Sequence, residues 1–93
     1  MHIKVRGRVQ GVGYRYFVEK QAYKYHISGW VRNCSDGSVE IMAEGPAEEL
    51  SLFIESCQEG PLFGSVSKIE PVVYAEYAAP PVEEGVFKVL ASV

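Results

Sequence analysis

The residues of this 93-residue chain best suited to chemistry lie close together near its start, in Gly7-Arg8-Val9-Gln10-Gly11-Val12-Gly13-Tyr14-Arg15. Three glycines within this run let the backbone turn tightly and aim consecutive N–H groups at one point. A short alternating segment precedes it and a helical pattern follows. The unpaired N–H groups and the positive dipole end of that helix therefore add to the same place. Such a combination binds anions, and phosphate fits it well. Arg15 falls in the first helical turn, where its guanidinium can grip two phosphate oxygens through parallel hydrogen bonds. Taken alone, the run is as compatible with a plain glycine-rich strand–helix connection that has an arginine at its edge. It matches neither common nucleotide signature: no Gly-Lys-Ser/Thr follows, and position 16 holds Tyr where G-x-G-x-x-G needs glycine.

A second polar residue is placed by the elements around it. Ile27 to Cys34 and Ser38 to Glu44 read as strands joined by Ser35-Asp36-Gly37. A three-residue hairpin loop puts its third residue in the left-handed region, which suits Gly37. That loop length pairs Asn33 with Val39, Val31 with Ile41 and Gly29 with Ala43, so Asn33 shares the buried face of Val31, Val39 and Ile41. A two-residue loop would instead aim Arg32 at the core. An amide on the inner face needs partners, since burying it unsatisfied costs about 1–3 kcal/mol. Asn33 is thus either a turn cap or part of a site.

Elsewhere, Ile3 and Val5 alternate with His2, Lys4 and Arg6 in a half-buried strand. Tyr14, Phe17, Val18, Ala22 and Tyr25 recur at helical spacing and form a stripe that covers the sheet. Gly45-Pro46 opens a second helix with proline at its first position and Glu48 and Glu49 in its first turn; Leu50, Phe53, Ile54 and Cys57 form its apolar stripe, and Gly60-Pro61 ends it. Val66 to about Tyr77 is a poorly phased strand that Pro71 assigns to an edge or a break, and Phe87 with Val89 supplies a last strand. The order strand–helix–strand–strand–helix–strand, plus one more strand, predicts an α+β ferredoxin-like sandwich: two helices on one face of a four- to five-stranded, mainly antiparallel sheet. The glycine run and the end of the second strand then converge at one end of the sheet.

The bulk composition narrows the setting. The length suits a single domain over residues 1–93. No apolar run approaches the roughly 20 residues that cross a bilayer, and the first residues read as strand, not signal peptide, so no membrane partner and a cytoplasmic location are expected. Cys34 and Cys57 form no C-x-x-C, and with His2 and His26 they complete no metal spacing, so free buried thiols, no metal and no cofactor are expected. The net charge of −3 hides an asymmetry: residues 1–32 hold seven Lys/Arg and one Glu, whereas residues 33–93 hold two Lys and eleven acids. Small anions should be drawn to the basic loop, while the acidic remainder repels a long polyanion, so nucleic acid is not expected as a partner.

Gly-Arg-Val-Gln-Gly-Val-Gly-Tyr-Arg, followed by Gly29-Trp30-Val31-Arg32-Asn33 and Asp36-Gly37-Ser38-Val39-Glu40, resembles the acylphosphatase family. The resemblance continues through Gly45, the second helix, Gly60-Pro61 and Val66. It implies metal-independent hydrolysis of the carboxyl–phosphate bond of a small acyl phosphate by a monomer, with inorganic phosphate as product and inhibitor. On that resemblance, Arg15 is the phosphate-binding arginine, Asn33 positions the water, and Val9, Gln10, Gly11, Val12 and Gly13 form the backbone cradle. Cys34 departs from the Thr or other small residue usual there, which makes thiol sensitivity a further expectation. A non-catalytic small-anion-binding domain is the alternative. An RNA-recognition module is disfavoured, because Val39-Glu40-Ile41-Met42 offers no stacking surface. A metal chaperone would need C-x-x-C where this chain has Val9-Gln10-Gly11-Val12.

Overall fold

A computed structural model describes residues 1–93 and contains seven elements: β1 (His2–Arg8), α1 (Tyr14–Lys24), β2 (Ser28–Asn33), β3 (Val39–Glu44), α2 (Ala47–Glu59), β4 (Ser65–Pro71) and β5 (Phe87–Val89). The five strands form one sheet in the order β4-β1-β3-β2-β5. All neighbouring pairs are antiparallel except β2 with β5. This is the expected α+β sandwich with a fifth strand added at the β2 edge. No helix is long and apolar enough to cross a membrane.

The hairpin register is the one that the loop length requires. Asn33 faces Val39, Val31 faces Ile41 and Gly29 faces Ala43. The turn closes through Gly37 N–H to the Cys34 carbonyl (3.1 Å) and Cys34 N–H to the Ser38 carbonyl (2.9 Å). Gly37 has φ 89°, a conformation that a side chain would strain. Asp36 braces the turn by accepting bonds from the Ser38 N–H and hydroxyl. These bonds, the hydroxyl first, hold its carboxyl well below the usual range.

Inner-face residues of β1, β2 and β3 (Ile3, Val5, Val31, Val39, Ile41, Ala43) join Val18 and Ala22 of α1 and Phe53 and Cys57 of α2 in one core. Two boundaries differ from the sequence reading. Pro46 is not the first helical residue; with ψ 148° it is the cap, and its carbonyl accepts the Leu50 N–H at 2.9 Å. The strand beginning near Val66 stops at Pro71 and does not reach Tyr77. It pairs with β1 alone, from Ser65 opposite Arg8 to Pro71 opposite Ile3, and the Val72 N–H adds one last bond to the His2 carbonyl (3.0 Å).

From there the chain crosses the sheet's outer face to reach β5 at the far edge. Trp30 donates its indole N–H to the Pro80 carbonyl (2.9 Å), and Arg32 Nη1 donates to Ala78 (3.1 Å). Beneath this cover lies a buried ion cluster. Arg32 and Glu40 are 4% and 3% exposed and joined Nε to Oε1 at 2.8 Å, while His2 Nε2 contacts the other carboxylate oxygen. The guanidinium also stacks 4.7 Å over Trp30. Cys34 Sγ points at the same carboxylate (3.7 Å), and burial pushes its thiol up, so its reactivity is lower than the sequence suggests.

Burial pulls the Glu40 carboxyl upward, but the bonds from Arg32 and then His2 outweigh it and leave the group below its ordinary value of 4.5. Its contribution to stability is therefore complete above that value and lost as pH falls through the lower folded one. Replacing Glu40 by Ala strands the Arg32 charge and should cost about 3–5 kcal/mol. Urea denaturation at pH 7 and pH 3 checks both points: the difference between wild type and variant should shrink at the lower pH.

Candidate active site

Strand directions bring four connections to one end of the sandwich. β1 and β2 both run toward it, as does β5 alongside β2, and β3 returns from it. The loop between β1 and α1, the β2–β3 turn, the α2–β4 connection and the chain after β5 therefore meet there. At this end a cavity of about 210 Å³ is lined by Val9, Gly11, Gly13, Tyr14, Arg15, Tyr16 and Asn33. Arg15 and Asn33, 18 positions apart in sequence, share it.

None of the backbone N–H groups from Val9 to Tyr16 has an acceptor within the protein; the first satisfied one is that of Phe17, to the Gly13 carbonyl at 3.0 Å. Gly11 and Gly13 make this possible by standing at φ 74° and 76°. Gly13 is the residue before α1, no side chain caps the helix and its first turn contains no acid. The free donors and the dipole end are thus left to an anion. Arg15 is the second helical residue, and its Nη1 donates to the Leu90 carbonyl at 3.1 Å, which fixes the guanidinium at the cavity.

Asn33 does not act as a turn cap. Its side chain bonds nothing, and its Oδ1 is buried without a partner. An orphaned acceptor of this kind costs about 1–3 kcal/mol, a price that the hairpin and the core make tolerable. The Asn33 carbonyl, by contrast, is satisfied by the Val93 N–H at 3.0 Å.

Of the five cradle residues expected from sequence, Val9, Gly11 and Gly13 line the cavity, whereas the side chains of Gln10 and Val12 do other work. Gln10 Nε2 donates to both the Cys34 and Ser38 carbonyls at 2.8 Å, tying the loop to the hairpin that holds Asn33. Val12 packs on the core. Three contributors escaped the sequence reading as site residues. Tyr16 lines the cavity from an exposed position. Tyr14 lines it too, but its hydroxyl is spent on the Cys57 carbonyl (2.7 Å) and burial pushes its phenol far up, which excludes it as a proton donor. Leu90 has no signal at all, because it acts through its carbonyl from 75 positions away.

No group of three His, Cys, Asp or Glu side chains is arranged to hold a metal ion. The site offers convergent donors, a fork-shaped cation and one free acceptor. Those suit an anion whose charge spreads over several oxygens and a water that must be aimed.

The family model described as Acylphosphatase matches residues 1–88. The chain is 53% identical over 68 residues to an acylphosphatase of Rhodopseudomonas palustris, covering 73% of this chain and 69% of that protein. It is 44% identical over 92 residues to one from Moorella thermoacetica, covering 99% and 94%. The crystal structure of acylphosphatase from Bacillus subtilis superposes with a TM-score of 0.77 at 39% identity, covering 96% and 94%.

Removing residues 90–93 deletes the carbonyl that holds Arg15 and the N–H that satisfies the Asn33 backbone. The truncated protein should stay folded, as judged by circular dichroism. Phosphate binding measured by calorimetry should weaken about tenfold or more, because the guanidinium loses its orientation.

Proposed function

The chain belongs to the acylphosphatase family and hydrolyses acyl phosphates to a carboxylate and inorganic phosphate, and we propose that Arg15, Asn33 and the Val9–Gly13 loop carry out this reaction without a metal. The single observation behind this reading is the meeting of Arg15 with the free, buried Oδ1 of Asn33 in one cavity beside uncapped N–H groups. Phosphoryl transfer needs alignment and charge stabilisation above all. The loop N–H groups and the Arg15 fork stabilise the three equatorial oxygens in the transition state. Asn33 Oδ1 accepts a hydrogen bond from the attacking water and so points its oxygen at phosphorus.

The water oxygen bonds to phosphorus as the bond to the acyl oxygen breaks, and the electron pair of that bond leaves on the carboxylate. Asn33 has no basic group, so a phosphate oxygen of the substrate takes the water's proton. A carboxylate is a weak base and departs without a general acid, so the reaction needs no proton from Tyr14, whose hydroxyl is already bonded to the Cys57 carbonyl. A purely binding domain would leave the Asn33 acceptor unexplained. The site draws on the β1–α1 loop, the end of β2 and, through Leu90, the segment after β5, which supports residues 1–93 acting as one domain. We also propose a monomer, and inorganic phosphate, the product, as a competitive inhibitor because it would occupy the same free N–H groups.

Asn33→Ala should keep phosphate affinity near that of the wild type while kcat falls about a hundredfold, the scale of misplacing a reactant by about 1 Å. Calorimetric phosphate titration beside turnover of an aryl acyl phosphate tests this; retained kcat would return Asn33 to a structural role. Arg15→Lys should fail in both assays, since a point charge cannot reproduce the fork. Activity should be unchanged by a chelator, and restoration of chelated enzyme by magnesium would refute the metal-free route.

A further inference from the structure

The Gln10 side chain directs its amide hydrogens at the two residues that flank the end of the β2–β3 ladder. Its Nε2 donates at 2.8 Å to the carbonyl of Cys34, the residue after Asn33, and at 2.8 Å to that of Ser38, the residue before Val39. Asn33 and Val39 are the last facing pair of the two strands. Gln10 thus forms a clip next to the residue proposed to hold the water. Both carbonyls also take a bond within the turn, Cys34 from the Gly37 N–H and Ser38 from the Cys34 N–H. A carbonyl oxygen has two lone pairs, so the clip uses acceptor capacity that the turn leaves over.

At its other end Gln10 stands between Val9 and Gly11, which both line the cavity. Little else fixes the distance from this loop to the hairpin. The loop N–H groups have no acceptor within the protein. Val9 and Val12 pack on the core, but apolar packing is non-directional. Arg15 is fixed separately, through α1 and the Leu90 carbonyl. The two bonds from Gln10 are the only hydrogen bonds between Val9–Gly13 and the hairpin.

Resting on the roles given above to Arg15 and Asn33, we propose that the Gln10 side chain is a positioning residue that sets the distance between the bound phosphate and the attacking water. It touches neither. Phosphorus is located by the loop and Arg15, the water by Asn33, and these belong to different elements. Attack needs the two reacting atoms about 3–3.5 Å apart and aligned. Without the clip, the free N–H groups and Arg15 still bind phosphate. The loop then stands at a variable distance from the Asn33 amide, and the reactive separation is reached less often.

The test uses Gln10→Met, which keeps the length but has no donor, and Gln10→Asn, whose shorter amide cannot span to both carbonyls. Neither change orphans a carbonyl, since each keeps its bond within the turn, so both variants should fold as the wild type does by circular dichroism. Turnover of an aryl acyl phosphate should fall about tenfold in kcat, less than the roughly hundredfold expected when nothing holds the water. Calorimetric phosphate affinity should stay within about threefold of wild type, a split that a general loosening of the site would not give. In an Asn33→Ala background the same changes should cost nothing further, because no held water is left to place. The clip would be overturned by a kcat within about twofold of wild type, by equal losses of kcat and phosphate affinity, or by a full loss added on top of Asn33→Ala. Failure of the underlying mechanism reads differently: it appears as retained kcat in Asn33→Ala itself, whatever the Gln10 variants do.

Discussion

The register of the β2–β3 hairpin is the constraint on which the site and both faces of the sheet depend. Asn33 opposite Val39 puts the amide on the helix-covered face at the end where the glycine loop arrives. With β3 held against β1, a slip of one residue would turn β2 over, so that Arg32 would enter the core and Val31 would meet the tail. The register is held from several directions: by Gly37 in its left-handed conformation, by Asp36 bonding Ser38, and by Gln10 reaching across to the Cys34 and Ser38 carbonyls. Gln10 thus ties the glycine loop to the hairpin that carries Asn33.

The molecule treats its polar groups in opposite ways at the two faces. On the outer face, Glu40 is buried but accepts bonds from Arg32 and His2, and the tail supplies the Ala78 carbonyl to Arg32. Breaking such a cluster costs more than its formation gains, so it acts mainly to enforce one arrangement. At the site, by contrast, the loop N–H groups and the Asn33 Oδ1 are left without protein partners. Unmet hydrogen-bonding capacity is what a preorganised phosphoryl-transfer site requires, because donors already engaged would have to be broken free during reaction. Arg32 Nη2 is also buried without a partner, and nothing in the structure explains it.

Such a site needs few residues because the substrate brings a good leaving group. On the proposed reading the protein supplies backbone donors, one cation held by the Leu90 carbonyl and one amide placed by the hairpin register. Tyr14 illustrates the division: it walls the cavity, yet its hydroxyl locks α1 to the end of α2 through Cys57. The cysteines follow the same pattern. Burial raises the Cys57 thiol to about 12 and the Cys34 thiol above its ordinary value, which leaves both as packing groups.

The sequence by itself determined those features governed by local rules. Side-chain periodicity marked both helices and the inner strands, and the three-residue loop with Gly37 fixed the hairpin register, hence the side of the sheet that Asn33 occupies. The glycine spacing ahead of a helix marked the run of free backbone N–H groups, because these belong to adjacent residues. The tertiary structure alone decided what depends on chain segments far apart. The Leu90 carbonyl that holds Arg15, the cover that buries Arg32 and Glu40 and the end of β4 at Pro71 are of this kind. Backbone carbonyls look alike at every position, and a strand's length is set by its partner's, so neither leaves a mark in the residues that use it. Asn33 spans the two cases: its face was legible, but whether its amide was capped or free depended on which groups the folded chain brought within reach.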